Sequence, residues 1–265
     1  KLIHLHVRNA KDDETGIESA TQIFSSLLSY KLGLFKRLVS GSREFSFEIF
    51  LVNQTIYFYI TASADSESFL SSLMASSYPV SMVVKTDDPM DTVMRVPQLA
   101  IGEMALASNY YLPIKTYQDF SEIDPLSSLI GFLARQDAKT TAVVQLLVSP
   151  ASFHWQNSVL SATQPKVNST TGEVESSSAN KALMIKKSSF AGGKGLIRVA
   201  IGSEGGDSNV LLHNLAGTFG ALAMGEGNQL ILKKPKISKG KLLKRIQART
   251  TSHLERRLQI FNAQE

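Results

Sequence analysis

The chain has 265 residues, of which 43% are hydrophobic and 19% are charged, and it contains no cysteine. This composition is typical of globular proteins and argues against an intrinsically disordered chain. The lack of cysteine excludes disulfides, thiolate metal sites and cysteine nucleophiles. No apolar run reaches the roughly 18 residues that a membrane-spanning helix requires, and we expect no signal peptide. Because the sequence starts at Lys1 without an initiator Met, we expect it to be part of a longer protein.

The first hundred residues predict a βαββαβ order. Residues 2–8 predict a strand, and apolar residues at helical spacing predict a helix within 16–35. The runs FSFEIFLV and TIYFYITA flank Asn53 and Gln54, which is typical of a hairpin with a tight turn. Asp65 is a candidate cap for a second helix that ends near residue 76, and the run VSMVVK predicts a closing strand. This order is typical of a ferredoxin-like unit, a four-stranded antiparallel sheet with two helices on one face.

The same order repeats in the following residues. The run GEMALASNYYLPIK predicts a strand, Asp124 with the following proline predicts a helix start, and TTAVVQLLVSP predicts an apolar strand. The run GLIRVAIG predicts another strand, Asp207 or Ser208 is expected to cap a helix, and QLILKK predicts the last strand. The polar stretch between the two middle strands predicts a mobile loop or an extended hairpin.

We therefore predict an α+β fold made of tandem βαββαβ (ferredoxin-like) units with antiparallel sheets, plus a basic helix near the C-terminus. The first unit is expected at 1–100. The second is expected at 101–235, with the polar insertion at 156–189. A basic helical extension or linker is expected at 236–265.

No complete catalytic, metal or cofactor motif is present, so we predict no enzymatic activity for this segment and no cofactor. The run FAGGKG departs from a phosphate-binding P-loop because Ser188 replaces its first glycine and Gly195 replaces its hydroxyl residue; it predicts a turn. His4 and His6 share one face of a strand without a third ligand at fixed spacing, so they predict edge histidines and no metal site. The acidic cluster at 87–91 predicts a solvated turn.

Basic residues concentrate near the C-terminus. Residues 233–257 hold ten Lys or Arg and one acid, although the net charge of the chain is only +5. Such a stretch is expected to contact DNA, anionic lipid or an acidic protein, or to be a solvated connector to a following domain. If it binds DNA, it would contact phosphates rather than base edges. The candidate residues are Lys233, Lys234, Lys236, Lys239, Lys241, Lys244, Arg245 and Arg249.

Several runs resemble the region that precedes the motor domain in conjugation-type ATPases of the HerA and FtsK class, found in type IV secretion-like systems. They are SFEIFLV with the following aromatic strand, SSYP, LPIKTYQDF followed by DPLSSLIGFLA, and VQLLVSP leading to Trp155. The resemblance covers most of residues 2–235. These runs are structural, so the resemblance assigns no catalytic residue to any position of this chain.

The resemblance implies a non-catalytic assembly or docking domain of a membrane-linked ATPase that translocates DNA or protein. The ATPase motor and the membrane helices would lie in other parts of the parent protein. The partners implied are other subunits of the parent assembly, in a homo-oligomer, and DNA through the basic segment. The location implied is the cytoplasm, at the inner face of the membrane in the full-length protein. Two alternatives stay open: a stand-alone nucleic-acid-binding module that uses the same basic segment, and an enzyme with a site built from dispersed residues.

Overall fold

A nine-stranded antiparallel sheet forms the centre of the protein. The computed structural model describes residues 1–8, 15–29, 44–120, 124–152, 154–167, 174–175, 180–251 and 259–265. The strands in these ranges are β1 (Leu2–Arg8), β2 (Phe45–Val52), β3 (Thr55–Ser63), β4 (Met82–Lys85), β5 (Leu99–Leu106), β6 (Thr140–Pro150), β7 (Lys166–Val167), β8 (Val174–Glu175), β9 (Gly192–Ser203), β10 (Leu230–Lys233) and β11 (Ile260–Asn262). β7 and β8 form a separate two-stranded pair.

The strand order of the large sheet is β10-β5-β9-β6-β2-β3-β1-β4, and β11 also pairs with β9. All of these pairs are antiparallel, so the predicted α+β class with antiparallel strands is confirmed. The strands from the first hundred residues and the later strands meet where Phe45–Leu51 of β2 pair with Val148–Ala142 of β6. The two halves of the chain therefore share one continuous sheet.

Helices lie on both faces of this sheet. In the described ranges they are α1 (Glu18–Ser29), α2 (Glu67–Ser77), α3 (Met90–Met94), α4 (Ser127–Ala134), α5 (His154–Ala162), α6 (Lys181–Ser188), α7 (Ser208–Thr218) and α8 (Lys239–Ala248). None of them combines the length and the hydrophobicity needed to cross a bilayer.

Turn and capping residues in the sequence specify where several strands and helices end. Asn53 and Gln54 both have positive φ, 50° and 58°, as the tight hairpin turn between β2 and β3 requires. Asp207 caps α7, because its carboxylate accepts a hydrogen bond from the backbone N–H of Asn209. The predicted cap at Asp65 is wrong. Asp65 lies within a short 3-10 helix, and α2 follows without a side-chain cap.

The apolar core is divided between the two faces. On the first face, α1 and α2 pack on β1, β2 and β3, while α4 and α7 pack on β5, β6 and β9. On the second face, Met90 and Val93 of α3 and Leu242 and Ile246 of α8 pack against a smaller cluster that includes Phe50. The second face is thus covered by a helix from the basic C-terminal segment.

The polar insertion contains both helices and strands where the structure describes it. The expectation of a mobile loop or extended hairpin at 156–189 is wrong where α5 and α6 form, whereas the antiparallel pair of β7 and β8 agrees with a hairpin. Residues 168–173 and 176–179 lie outside the described residues. Trp155, Val159 and Met184 are buried together against Ile260 of β11. These apolar residues are too far apart in sequence to form a periodic pattern. They form a shared core because β11 pairs with β9 and places Ile260 against them.

The C-terminal segment differs from the predicted extension or linker at 236–265. Residues Leu242 and Ile246 of α8 are fully buried on the sheet, and β11 pairs with Gly192–Lys194 of β9. Apolar side chains on one side of α8 make this packing favourable. The described parts of this segment, 236–251 and 259–265, are therefore packed on the sheet, and residues 252–258 lie outside the described residues.

Candidate polyanion-binding surface

A row of polar side chains crosses the second face of the sheet. Glu48 of β2 stands opposite Gln145 of β6, which stands opposite Arg198 of β9, which stands opposite Glu103 of β5. Glu48, Gln145 and Arg198 are at most 2% exposed. Charged groups at such depth require partners, because an unpaired buried charge is strongly unfavourable.

Glu48 is surrounded by hydrogen-bond donors. Arg249 donates from Nε to Oε1 at 2.9 Å and from Nη2 to Oε2 at 3.1 Å. Gln145 donates to Oε1 at 2.8 Å, and the hydroxyls of Ser46 and Thr61 donate at 2.8 and 3.0 Å. The carboxylate thus receives five donors, two of them from a guanidinium, so neither of its oxygens is left without a hydrogen bond.

Asp88 is the second carboxylate that binds Arg249. Nη2 of Arg249 donates to its Oδ1 at 2.6 Å, and the backbone N–H of Met90 donates to the same oxygen at 3.0 Å. Burial acts to raise the pKa of Asp88, but the hydrogen bonds and charge of Arg249 outweigh it and leave this pKa below its ordinary value. The prediction of a solvated turn at 87–91 is therefore wrong for Asp88, which neutralises a buried cation.

Arg249 fixes the end of α8 on the sheet. It follows the last helical residue and adopts the left-handed conformation, with φ 52° and ψ 42°. Burial acts to lower its pKa, but the two carboxylates raise it above the ordinary value of arginine. Gln145 also donates to the carbonyl oxygen of Ile246, in the last turn of α8, at 3.0 Å. The helix is thus held by polar bonds as well as by apolar packing.

Most of the predicted cationic residues lie at the surface. Arg245 is half-buried, whereas Arg249 is only 4% exposed. The prediction that Arg249 binds DNA is therefore wrong: its guanidinium is occupied by Glu48 and Asp88. The exposed residues, which we call the lysine surface, are Lys233, Lys234, Lys236, Lys239, Lys241 and Lys244.

The lysine surface has no acidic residue in its own segment, since residues 233–249 contain no Asp or Glu. Three of its lysines lie on or at the start of α8, whose opposite side is buried. Two others, Lys234 and Lys236, lie in the connection between β10 and α8. The segment therefore presents positive charge from a backbone that the buried ion pairs hold in place.

The two N-terminal histidines pack among side chains of the sheet. β1 pairs with both β3 and β4, so the prediction that His4 and His6 lie at an edge is wrong. His6 stacks on Tyr59 with ring centroids 5.0 Å apart, and Nδ1 of His4 lies 3.1 Å from Oγ1 of Thr61. Within the described ranges, no three His, Asp or Glu side chains group closely enough to hold a metal ion.

The glycine-rich run FAGGKG also differs from its prediction. It was expected to form a turn, but Gly192–Gly195 begin β9. A Cβ at Gly195 would lie 2.5 Å from the ring of Phe261 in β11, so the absence of a side chain allows the neighbouring strand to pack closely.

The sequence contains a signal for the buried network that motif analysis missed. Each of β2, β6 and β9 is an apolar run with one strong polar residue near its middle: Glu48, Gln145 and Arg198. A lone charge inside a buried strand predicts a polar partner in a neighbouring strand or helix. The partner Arg249 could not be chosen from the sequence, because it was one of ten basic residues in its stretch.

The larger, N-terminal part of the chain matches a model of a protein family. Residues 3–190 match a family described as Domain of unknown function (DUF8128). The chain is a member of the DUF8128 family. A comparison with curated proteins found no match.

The DUF8128 match includes part of the buried network. Glu48, Asp88 and Gln145 lie inside the matched residues, whereas Arg198, Arg249 and the whole lysine surface lie after them. In this DUF8128 protein, then, the segment that carries the lysine surface is bound to carboxylates of the family region itself.

Proposed function

We propose that this chain is a non-catalytic assembly and docking domain of a membrane-linked translocation ATPase, and that its lysine surface contacts the phosphates of the DNA that the machine moves. The observation that carries the proposal is the attachment of α8: Arg249 is bound by Glu48 and Asp88, while the lysines before it remain exposed. A buried anchor and an exposed cationic side together favour a fixed docking surface.

The physical basis is electrostatic. Lysine ammonium groups bind phosphates as point charges, release counterions from DNA and read no base sequence. A helix held on a sheet presents such charges with little loss of backbone entropy on binding. The proposed contact is therefore independent of DNA sequence and weakens steeply as salt is raised.

We also propose that the two halves are ferredoxin-like units joined edge to edge. The strand order of each half supports this. Counted outward from the junction between β2 and β6, the strands are β2-β3-β1-β4 in one half and β6-β9-β5-β10 in the other. If the four strands of each half are numbered along the chain, both orders are 2-3-1-4. The double unit would provide a broad body for contacts with neighbouring subunits.

DNA binding tests the lysine surface. Affinity for a 30-base-pair duplex would be measured across a salt series with the full chain and with the triple variant Lys239→Gln, Lys241→Gln, Lys244→Gln. Because each phosphate contact contributes about 0.9 to the slope of log affinity against log salt, we expect the slope of the variant to fall by about 2 to 3. Two unrelated duplexes should bind alike.

The matched control removes the same charge elsewhere. Arg135, Lys139 and Lys186 are exposed cations outside the segment, and their triple Gln variant should bind DNA like the unchanged chain. If both triple variants lose affinity equally, net charge rather than the lysine surface is responsible. If the unchanged chain does not bind DNA at all, the proposed DNA contact is wrong, and the surface must instead be tested for acidic protein partners.

A further inference from the structure

One end of the large sheet exposes a cluster of apolar side chains. β4 is the last strand of the order and pairs with β1, and within the described ranges no strand pairs with its outer edge. Met82 and Val84 of this strand are 59% and 39% exposed, and Val80, just before it, is 54% exposed. Exposed apolar residues on an edge strand are typical of a site of association.

The edge of β4 lacks the features that usually keep edge strands apart. Such edges are commonly protected by proline, by a bulge or by free charges. β4 contains no proline, and its pairing with β1 runs without interruption from Met82 to Lys85. Its one charged side chain, Lys85, binds Glu67 of α2 at 2.8 Å. The edge is therefore open to a further strand.

The backbone of β4 presents hydrogen-bonding groups at fixed positions. The N–H of Thr86 donates to the carbonyl oxygen of His4 in β1 at 3.0 Å. Inward and outward residues alternate along an antiparallel strand. Val84 therefore also turns its backbone groups toward β1, whereas Val83 and Lys85 turn their N–H and C=O groups outward. An added strand would bind at Val83 and Lys85.

The exposed side chains of β4 lie on the second face of the sheet. Val84 stands opposite His6 of β1, and Met82 stands opposite Arg8. His6 stacks on Tyr59, which belongs to the apolar cluster of that face. A strand that covers Met82 and Val84 must therefore bring apolar side chains to the same face.

We propose that β4 pairs with β4 of a second copy of the chain, antiparallel, about a two-fold axis between the two Val83 residues. The two copies of Val83 then exchange both of their outward hydrogen bonds. Met82 of each copy lies opposite Val84 of the other, so the exposed apolar side chains cover one another. Lys85 lies opposite Ser81, away from the second Lys85. The edge is thus complementary to itself in hydrogen bonds, apolar surface and charge.

The opposite edge of the sheet is a less suitable partner for β4. That edge is β10, in which Ile231 is 37% exposed. A register that places Ile231 beside Val84 also places Lys233 beside Met82, in the same row of side chains as Arg8. Like charges across a sheet are unfavourable. Pairing of β4 with itself also closes with two copies, whereas head-to-tail pairing leaves an open edge on each new subunit.

Sedimentation velocity of the full chain tests the dimer. A four-residue strand makes a small contact, so the chain should change from monomer to dimer between about 1 and 200 µM, the range of weak, transient interfaces. A chain that stays monomeric throughout overturns the proposal. The inference does not rest on the proposed DNA contact, which uses the lysine surface and is measured separately, so either can fail alone.

A matched pair of variants identifies the edge. Val84→Lys places two ammonium groups in the apolar patch of the dimer and should weaken dimerisation at least about tenfold. Ile231→Lys makes the same change at a similarly exposed position of the opposite edge, and it should dimerise like the unchanged chain. Thermal unfolding checks that both variants are folded. Equal losses in the two variants would indicate pairing of β4 with β10 and overturn the proposal.

Disulfide trapping tests the register, because the chain has no cysteine of its own. In a mixture of Met82→Cys and Val84→Cys chains of different length, the two thiols stand directly opposite and should form a linked heterodimer on oxidation. In either variant alone the two thiols lie on a diagonal of about 7–8 Å, so cross-linking should be at least about fivefold lower. Equal cross-linking of the mixture and of the single variants would contradict the two-fold axis at Val83.

Discussion

Arg249 Nε lies 2.9 Å from Oε1 of Glu48, although 201 positions separate the two residues in the chain. This pair joins the end of α8 to the second strand of the sheet. Asp88 binds the same guanidinium, so one arginine connects three separate segments. The lysine surface owes its fixed position to this buried cluster.

Arg249→Met should destabilise the fold by about 3 kcal/mol or more, because Glu48 would remain buried without its cation. The free energy of unfolding would be measured by urea denaturation. Replacing both members, as in Glu48→Leu with Arg249→Met, should recover part of that loss, since the fully buried carboxylate is removed with its cation, and Asp88, whose side chain is 26% exposed, can be solvated. A double variant that is as unstable as the sum of the two single variants would contradict a coupled pair.

The backbone of Arg249 provides a separate prediction. Its positive φ costs a residue with a Cβ about 1 kcal/mol more than glycine. Arg249→Gly and Arg249→Ala both remove the ion pairs, so their comparison isolates this backbone term. We expect the glycine variant to be the more stable by about 1 kcal/mol in urea denaturation. Equal stabilities would show that the left-handed conformation relaxes once the ion pairs are lost.

Stability should fall as pH is lowered through the range where histidine titrates. Burial lowers the pKa of His4, with Asp88 and Glu48 opposing this effect and Arg249 adding to it. Burial and the neighbouring Arg8 lower the pKa of His6. The unfolded chain therefore takes up protons first, near pH 6.5, and stability declines from there until the folded-state pKa is passed.

This pH dependence can be assigned with variants. His4→Gln with His6→Gln should flatten the decline in the free energy of unfolding between pH 7 and pH 5. His213→Gln, at an exposed position on α7, should leave the decline unchanged. An unaltered decline in the double variant would place the titration elsewhere.

Gly217→Ala should stabilise the protein by about 0.5–1 kcal/mol. Gly217 lies in α7, and a Cβ there would meet no atom within 4 Å, so alanine gains helix propensity without a clash. Gly227→Ala is the contrasting variant, because its Cβ would collide with the carbonyl oxygen of Pro113. Relative to the unchanged chain, the midpoint of thermal unfolding should rise for Gly217→Ala and fall for Gly227→Ala.

Several strands could be predicted because their signals are local. The runs at 45–52 and 140–150 predict strands with the bounds of β2 and β6, since each run is largely apolar and rich in residues that favour strands. The hairpin at Asn53 followed from turn chemistry. The cap at Asp65 failed because several polar residues at 63–66 compete for the same helix start.

The site was harder to predict because it depends on long-range pairing. Six of the eight candidate cations are exposed, as a solvated segment requires, but Arg249 looks like its neighbours in sequence. Only the register that places Glu48 beside Gln145, and α8 above them, distinguishes it. Similarly, Trp155 and Met184 find a shared core only through β11.

The long separation between Glu48 and Arg249 also matters during synthesis. A ribosome makes β2 about 200 residues before it makes the arginine, so the emerging chain can fold much of its apolar core while Glu48 still requires water. Domains generally begin to fold from the N-terminal side during translation. The helix that covers Glu48 is thus among the last elements of this chain to leave the ribosome.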